Sequence, residues 1–451
     1  MKKIIAMLLA LVMVFALVAC GGTADKPEES QKPAESQQPA ESQKPEESQK
    51  PEESKPAEPV MPEFDGQIVV GHLADLTGFE ALTGIEAQVA IDFAVKQVNL
   101  AGGIAGKELV VIHGDSQCSA PMAVEQAKKL VMEDEVLCIL GPTQASHKAA
   151  VGDALEELGV AGIYYNGTSF NMTKFKKMII GVGGSMYEMP TAMAHYVYET
   201  KGWKTIYVMG IDNQGGKGYG QPFVGTYEAL GGKIVSVDWI AEGADMAPYF
   251  STKSGKEADG IVAWFSGSES QKFWINWYDS GLNEALPVVA YQHGGFTDHF
   301  ILSGLEDSGR EDVVEAILEC AEAPITYHYG IDTPENKAFV EAWKAEFGSV
   351  PGATNLPGAA YAAVLALKTA YESIEGEVNA TNLYEALSKI EINTPEGHLS
   401  FNEGSRAANK DVYIVKVVRD GDSFTYEGIT TYEDVPANTG YYVEGAVLEL
   451  G

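Results

Sequence analysis

The polarity of the chain changes character twice. Ile4 to Val18 is an unbroken apolar run of fifteen residues behind Lys2 and Lys3. It falls short of the ~20 residues a spanning helix needs, and it reads as an export signal rather than a span. Residues 23–62 hold almost nothing to bury. From residue 63 on, short apolar runs alternate with amphipathic stretches. The runs predict strands at 68–73, 108–113, 136–140, 160–165, 205–210, 233–239, 260–265, 286–291 and 314–320, with helix-period segments such as 85–100 and 121–133 between them. Gly102-Gly103, Gly159, Gly231-Gly232 and Gly281 stand where those helices should stop, each just ahead of a strand. The Val/Ile runs are continuous rather than alternating, which predicts strands covered on both faces and hence α/β architecture with parallel sheets. Nine strands are many for one sheet, so two lobes are expected. A helical block over 335–347, 357–374 and 381–389 follows, and 411–418 and 423–430, joined by Arg419-Asp420-Gly421-Asp422, form an expected antiparallel hairpin.

Composition sharpens this picture. At 451 residues the chain has room for two or three domains. Acids outnumber bases 64 to 31, for a formal charge of −33, and residues 23–62 carry only ten Asp/Glu against five Lys, so most of the excess lies on the folded part. Such a surface repels phosphate backbones and offers no basic face to anionic lipid, which excludes nucleic-acid and lipid-surface roles. The segment 23–62 repeats units such as Glu41-Ser42-Gln43-Lys44-Pro45 and Glu47-Ser48-Gln49-Lys50-Pro51. It cannot offset its ordering entropy and is expected to be an extended, disordered tether. Of the four cysteines, Cys138 sits inside the run Val136-Leu137-Cys138-Ile139-Leu140 and reads as a small buried residue, and an odd three (Cys118, Cys138, Cys320) follow the tether, allowing at most one disulfide.

The apolar leader ends in Leu17-Val18-Ala19-Cys20-Gly21, which resembles the lipobox of bacterial lipoproteins. The resemblance implies a signal peptide over 1–19, cleavage before Cys20, and acylation of Cys20 as the new first residue. Residues 20–62 would then be a lipidated cysteine with its tether, holding a soluble module off the cell membrane.

The module carries a second resemblance. Ile68-Val69-Val70-Gly71-His72-Leu73-Ala74-Asp75-Leu76-Thr77-Gly78 is similar to the opening of the type I periplasmic binding proteins, in the leucine-binding-like, branched-chain amino-acid branch of ABC-transporter solute-binding proteins. Val98-Asn99-Leu100-Ala101-Gly102-Gly103-Ile104-Ala105-Gly106-Lys107 resembles that family's Asn-x-x-Gly-Gly-Ile-x-Gly turn. Asp115, Gly141-Pro142, Pro334-Glu335-Asn336-Lys337 with Phe339, and Tyr361 follow in family order over about residues 66–430. The resemblance implies two α/β lobes joined by three crossing strands, lobe one over 66–184 and 325–407, lobe two over 185–324 and 408–451. The lobes would rock about crossovers near 182–186, 321–327 and 405–411 and close on a ligand between them.

In parallel α/β sheets ligands bind beyond the carboxyl ends of the strands, where helix N-termini offer free N–H groups. The resemblance places the polar head group of an amino-acid-like solute on Thr143, Gln144, Ala145 and Ser146, although Ala145 stands where the family usually has a serine. Asn166 and Thr168 form the second ligand loop. Tyr219 would lie across the ligand, with Trp264, Phe265 or Ser266 reaching in after the seventh strand; alternation lets only some of these face the cleft. Phe79, with Glu80, Ala81 and Leu82, supplies a further wall, and Phe79, Tyr219 and Trp264 together favour a ligand with an apolar or aromatic portion. Gln292 and His293 occupy the region where amino-acid binders often place an acid for the ammonium. Either another acid (Glu80, Asp212, Glu269 or Asp298) serves, or the ligand has no α-amine, since a buried ammonium without a carboxylate is costly.

Enzyme signatures are missing. There is no Gly-x-Ser-x-Gly, His-Glu-x-x-His or Walker pattern, and Gly215-Gly216-Lys217-Gly218 has the wrong spacing and no Ser/Thr after its lysine. The histidines lack metal-ligand spacing, and Tyr327-His328-Tyr329 reads as a hinge-adjacent strand. No cofactor and no metal are expected. The resemblance implies, as partners, a small solute and an ABC permease with separate ATPase subunits. The alternatives are an amide or aromatic carboxylate as ligand, or a clamshell that presents its ligand to a signalling receptor.

Overall fold

Alternation along each strand sends successive side chains to opposite faces, so a sheet with helices on both sides needs apolar residues at every position. The computed structural model describes residues 61–78, 80–167, 178–265, 267–291, 299–352, 354–401, 406–421 and 423–437; its central strands follow that rule, whereas the edge strand over Lys233–Ile240 alternates. The signal-like segment, Cys20 and nearly all of the polar repeat lie outside them. β1 (Gln67–Ala74) leads to α1 (Ala81–Leu100), β2 (Glu108–Asp115) to α2 (Ala120–Met132), and β3 (Cys138–Leu140) to α3 (Ala145–Leu158). β4 (Ala161–Tyr164) and β5 (Ile179–Gly181) complete a first sheet ordered β2-β1-β3-β4-β5, all parallel. Val70, Leu140, Ile163 and Ile180 face the layer containing α1. Leu73, Ile139, Tyr164 and Ile179 face α2 and α3.

α4 (Glu188–His195), extended by a π turn over Tyr196–Thr200, opens the second half. There follow β6 (Thr205–Ile211), α5 (Gln214–Ala229), β7 (Lys233–Ile240), the one-turn α6 (Ala247–Phe250), β8 (Gly260–Trp264), α7 (Gly267–Asp279), β9 (Val288–Ala290), α8 (His299–Asp307), α9 (Glu311–Cys320) and β10 (Glu322–Ile325). α10 (Pro334–Phe347), α11 (Leu356–Ser373) and α12 (Ala380–Leu387) then return to the first sheet. α11 packs on α1, and α12 on β4 and β5. After the small hairpin of β11 (Ile392–Thr394) and β12 (Gly397–Leu399), the long β13 (Lys410–Asp420) and β14 (Ser423–Val435) join the second sheet. Its order is β14-β13-β10-β9-β8-β6-β7, parallel from β7 to β10 and antiparallel beyond. The fold is thus two-lobed, and the chain passes between the sheets after β5, after β10 and after β12. A parallel bridge from Gly181 to Ala407 ties the first and third passages together.

The landmark residues have structural work. Asn99 donates from Nδ2 to the Leu109 carbonyl (2.9 Å) and accepts the Leu109 N–H (2.8 Å), locking the end of α1 to β2. Asn336 donates to the carbonyls of Tyr329 and Ile331, closing the turn ahead of α10. Gly141 has φ 93°, and a Cβ there would sit 2.2 Å from the Leu73 carbonyl oxygen, so only glycine lets β3 turn this close to β1. Among the described residues Cys118, Cys138 and Cys320 form no disulfide with one another, and burial pushes the thiol of Cys138 up to about 12.

Two expectations fail. Residues 314–320 are not a strand but the body of α9. Val313, Val314 and Ile317 form one buried helical face, with Glu311 and Asp312 favourably placed in the first turn. The strand is the next segment, Glu322–Ile325, which Pro324 disguises. Tyr327-His328-Tyr329 is an irregular connection into a turn. The short β5 and the β11–β12 hairpin carry too few residues for a readable period. No described helix is long and apolar enough to cross a membrane.

The returning helices are fastened by an aromatic cluster. Phe339 on α10 lies with its ring centroid 4.8 Å from Tyr361, 5.6 Å from Trp343 and 5.9 Å from Phe93 of α1. Phe339→Ala is expected to cost about 3–5 kcal/mol, read as a lowered urea midpoint. A loss below about 1 kcal/mol would mean that the cluster does not fasten these helices.

Candidate functional site

Both sheets have a switch point, where neighbouring strands send their connections to opposite sides and a crevice opens at their carboxyl ends. In the first sheet it lies between β1 and β3, in the second between β6 and β8. Asp75, directly after β1, is fully buried at the first. Its carboxylate accepts from Ser116 Oγ (2.5 Å), the Cys118 N–H (2.9 Å) and Thr143 Oγ1 (3.0 Å), and its own N–H donates to Thr143 Oγ1 at 3.3 Å. His147 Nδ1 is 3.6 Å away. One side chain thereby ties the loops after β1, β2 and β3 together, and the Thr143 hydroxyl is engaged inside the protein.

The loop after β3 runs through Gln144 into α3, whose first residue is Ala145. Among the described residues no side chain caps this N-terminus. Ser146 is exposed and donates to Gln144 Oε1 at 3.2 Å. Two residues on, Lys148 is fully buried. Its Nζ donates to Asn166 Oδ1 at 3.0 Å and to the Asn166 carbonyl. Asn166, just past β4, donates from Nδ2 to the Thr143 carbonyl at 3.1 Å. The Tyr164 hydroxyl donates to the Lys148 carbonyl at 2.8 Å. Among the described residues no carboxylate pairs with this ammonium, and burial pushes it down to about 7.

From the second sheet, Asn213 accepts the Gly216 N–H at 2.9 Å and caps α5, so Gly215-Gly216-Lys217 is simply its first turn. The next turn presents Tyr219, stacked on Tyr291 just past β9 with ring centroids 4.0 Å apart. A Cβ placed on Gly167 would lie 3.5 Å from Lys148 Nζ and 3.6 Å from Tyr219 Oη. An ammonium from the first sheet and a phenol from the second thus converge on one spot. Trp264 and Phe265 both are buried, on opposite faces of β8: Trp264 packs against Phe223 at 4.9 Å and Phe265 against Phe273 at 5.1 Å. Phe79, Thr168, Ser266, Gln292, His293 and Asp298 lie outside the described residues.

Two of the acids considered for a ligand amine already have cations: Asp212 pairs with Lys217, and Glu269 with Lys272 at 2.6 Å. Glu80 accepts from Thr83 Oγ1 at 3.1 Å. One buried acid that sequence reasoning missed is Glu188, at the start of α4; another, Glu396, is paired with Lys410 at 2.6 Å. Glu188 Oε2 accepts the Ser185 N–H (2.9 Å) and hydroxyl, whereas its Oε1 has no hydrogen-bond partner among the described residues. Burial pushes its carboxyl up to about 7, against the opposing pull of those Ser185 bonds, and its charge is felt at Tyr219 and Tyr291. Lys148 was also missed. Its signal was its place beside Val151 and Leu155 on the apolar stripe of α3. Among the described residues no group of three or more His, Cys, Asp or Glu is placed to hold a metal.

An unfolded Lys148 holds its proton up to about 10.5, whereas the folded one releases it near 7. Between those values the unfolded chain binds the extra proton, so raising the pH favours the fold. Urea melts are expected to find wild type gaining stability over Lys148→Met from about pH 7 towards 10. A difference that stays flat over that window would contradict a buried, uncompensated lysine.

Residues 67–422 match the family model described as periplasmic binding protein. A relative from Pseudomonas aeruginosa, the leucine-, isoleucine-, valine-, threonine- and alanine-binding protein, is 25% identical over 350 residues, covering 76% of this chain and 88% of its own. Among solved structures, an ABC transporter substrate-binding protein from Sphaerobacter thermophilus superposes with a TM-score of 0.74 at 24% identity, over 82% of this chain and 99% of its own. A solute-binding protein of an ABC transporter from Rhodopseudomonas palustris, in complex with 4-hydroxybenzoate, gives 0.73 at 20% identity, over 82% and 98%. With its two switch points, three passages between the sheets and a family match that spans both halves, the chain belongs to the periplasmic binding protein family.

Proposed function

We propose that this protein is the extracytoplasmic solute receptor of an ABC importer, taking a small amino-acid-like solute between its lobes and delivering it unaltered to a permease. The observation that carries this reading is the convergence of Lys148 and Asn166, from one switch point, with Tyr219, from the other. Groups held on separate sheets can be brought onto one ligand only by closure of the lobes. A solute touching both therefore shifts the population towards the closed form, which is the form a permease can recognise. The lobes take the boundaries 66–184 with 325–407 and 185–324 with 408–451, and the three passages between the sheets serve as the hinge. ATP hydrolysis belongs to separate partner subunits, and no chemistry is done on the solute.

The Pseudomonas relative's name supports an aliphatic amino acid, for which Glu188 is the buried acid nearest in kind to an ammonium partner. The stacked Tyr219–Tyr291 pair favours a second reading, an aromatic carboxylate of the kind held by the Rhodopseudomonas protein. In both readings Cys20 is the lipid anchor and residues 20–62 the leash that leaves the module free to move.

Thermal-shift measurements over the amino acids and small aromatic carboxylates test the reading. A cognate solute at a hundred times its Kd adds about 2.7 kcal/mol, a rise of a few degrees in Tm, and mass spectrometry should recover it unchanged. Chemical conversion of the solute would refute the receptor role. Cys20→Ser is expected to abolish incorporation of labelled fatty acid and to release the protein from the membrane fraction. Continued labelling would place the anchor elsewhere.

A further inference from the structure

The receptor reading leaves open what recognises the solute's polar end. The hydroxyls expected to do so are partly engaged: Thr143 Oγ1 is held by Asp75, and the Ser146 hydroxyl points to Gln144. Asn166 spends its amide on the Thr143 carbonyl and on Lys148. What remains at that corner is a cation. Lys148 is fully buried, its partners among the described residues are the two neutral oxygens of Asn166 and the Tyr164 ring 5.7 Å away, and it rises from the first turn of α3, where the backbone N–H groups already favour negative charge. A buried ammonium facing only neutral acceptors at the positive end of a helix is an expensive arrangement. An anion entering beside Gly167, under the Tyr219 hydroxyl, would neutralise it.

We propose that Lys148 is the residue that selects a carboxylate in the solute, pairing with it directly at the α3 N-terminus while the Tyr219 hydroxyl closes over it from the other lobe. This rests on the receptor reading and narrows it. Carboxylates are taken, whether amino acids or aromatic acids, and the corresponding amides are refused. Asp75 and Asn166 are positioning residues. Asp75 holds the loop that starts α3, and Asn166 aims the ammonium.

Calorimetric titration of the full chain with leucine and 4-hydroxybenzoate, each against its own amide, tests the proposal. At least one acid is expected to bind, with its amide weaker by roughly tenfold or more. Lys148→Met should weaken the acid by roughly thirtyfold to a thousandfold and leave the amide unchanged. Should that variant not fold, wild type still decides, through titrations at pH 8 in buffers of different ionisation enthalpy. Tyr164 and Tyr219 are pushed up by burial and already hold their protons at pH 8, and His147, pushed down and therefore neutral there, is removed as a proton acceptor by His147→Asn, which should keep the uptake. Lys148, at about 7 without ligand, is left to take one up as the acid binds, and with 4-hydroxybenzoate, which has no amine, Glu188→Gln should keep that uptake. Equal affinity for acid and amide, an unweakened Lys148→Met, or tight acid binding without proton uptake would each overturn the role of Lys148 while leaving a solute receptor. If no amino acid, carboxylate or amide binds, the receptor reading itself falls, and this inference with it.

Discussion

A carboxylate buried without water must be surrounded by donors, and Asp75 draws its donors from three different loops. That requirement organises the corner of the first sheet. Ser116 and Cys118 bring in the segment after β2, and Thr143 brings in the segment after β3, and so the N-terminus of α3 is set in place. Gly141 makes this approach sterically possible, because its missing Cβ is where the Leu73 carbonyl sits. Once α3 is set, Lys148 has nowhere to go but inward against Asn166.

The second sheet supplies the opposite wall by the same logic. Its switch point lies at the ends of β6 and β8, and the helix that leaves β6 is started by Asn213 and brings Tyr219 to the front within its first turns. α4 packs beside α5 and carries Glu188 into the same neighbourhood. The two halves therefore face each other with opposite, incompletely compensated charges, Lys148 on one and Glu188 on the other. Each is pushed towards its neutral form by burial. Such groups weaken the fold, and a solute of matching charge placed against them would relieve them.

Much of the architecture was legible. Strands covered on both faces write themselves as apolar runs, as in β1, β6 and β8, and these, with the edge strands β2 and β7, were placed within two residues at either end. Helices ending at Gly159 or beginning at Thr333-Pro334 carry local signals that do not depend on the rest of the fold. The segment 314–320 misled because seven mostly apolar residues are compatible with either period, and Pro324 argued against the strand that does form. Three-residue strands such as β5 are held by their neighbours rather than by their own pattern.

From the sequence alone came the alternation of strand and helix, the two-lobed class, the loops at the strand ends, and a polar segment over 23–62 whose composition has almost nothing to bury. Tertiary structure decided which polar side chains in those loops are occupied and which are stranded. Thr143, Asn166 and Lys148 are equally polar on paper, and only packing commits the hydroxyl of Thr143 to Asp75, threads Asn166 between two loops, and leaves the ammonium of Lys148 among neutral oxygens. Asp75 and its hydrogen-bond partner Thr143 lie 68 residues apart in the chain, and no local pattern encodes a pairing at that separation.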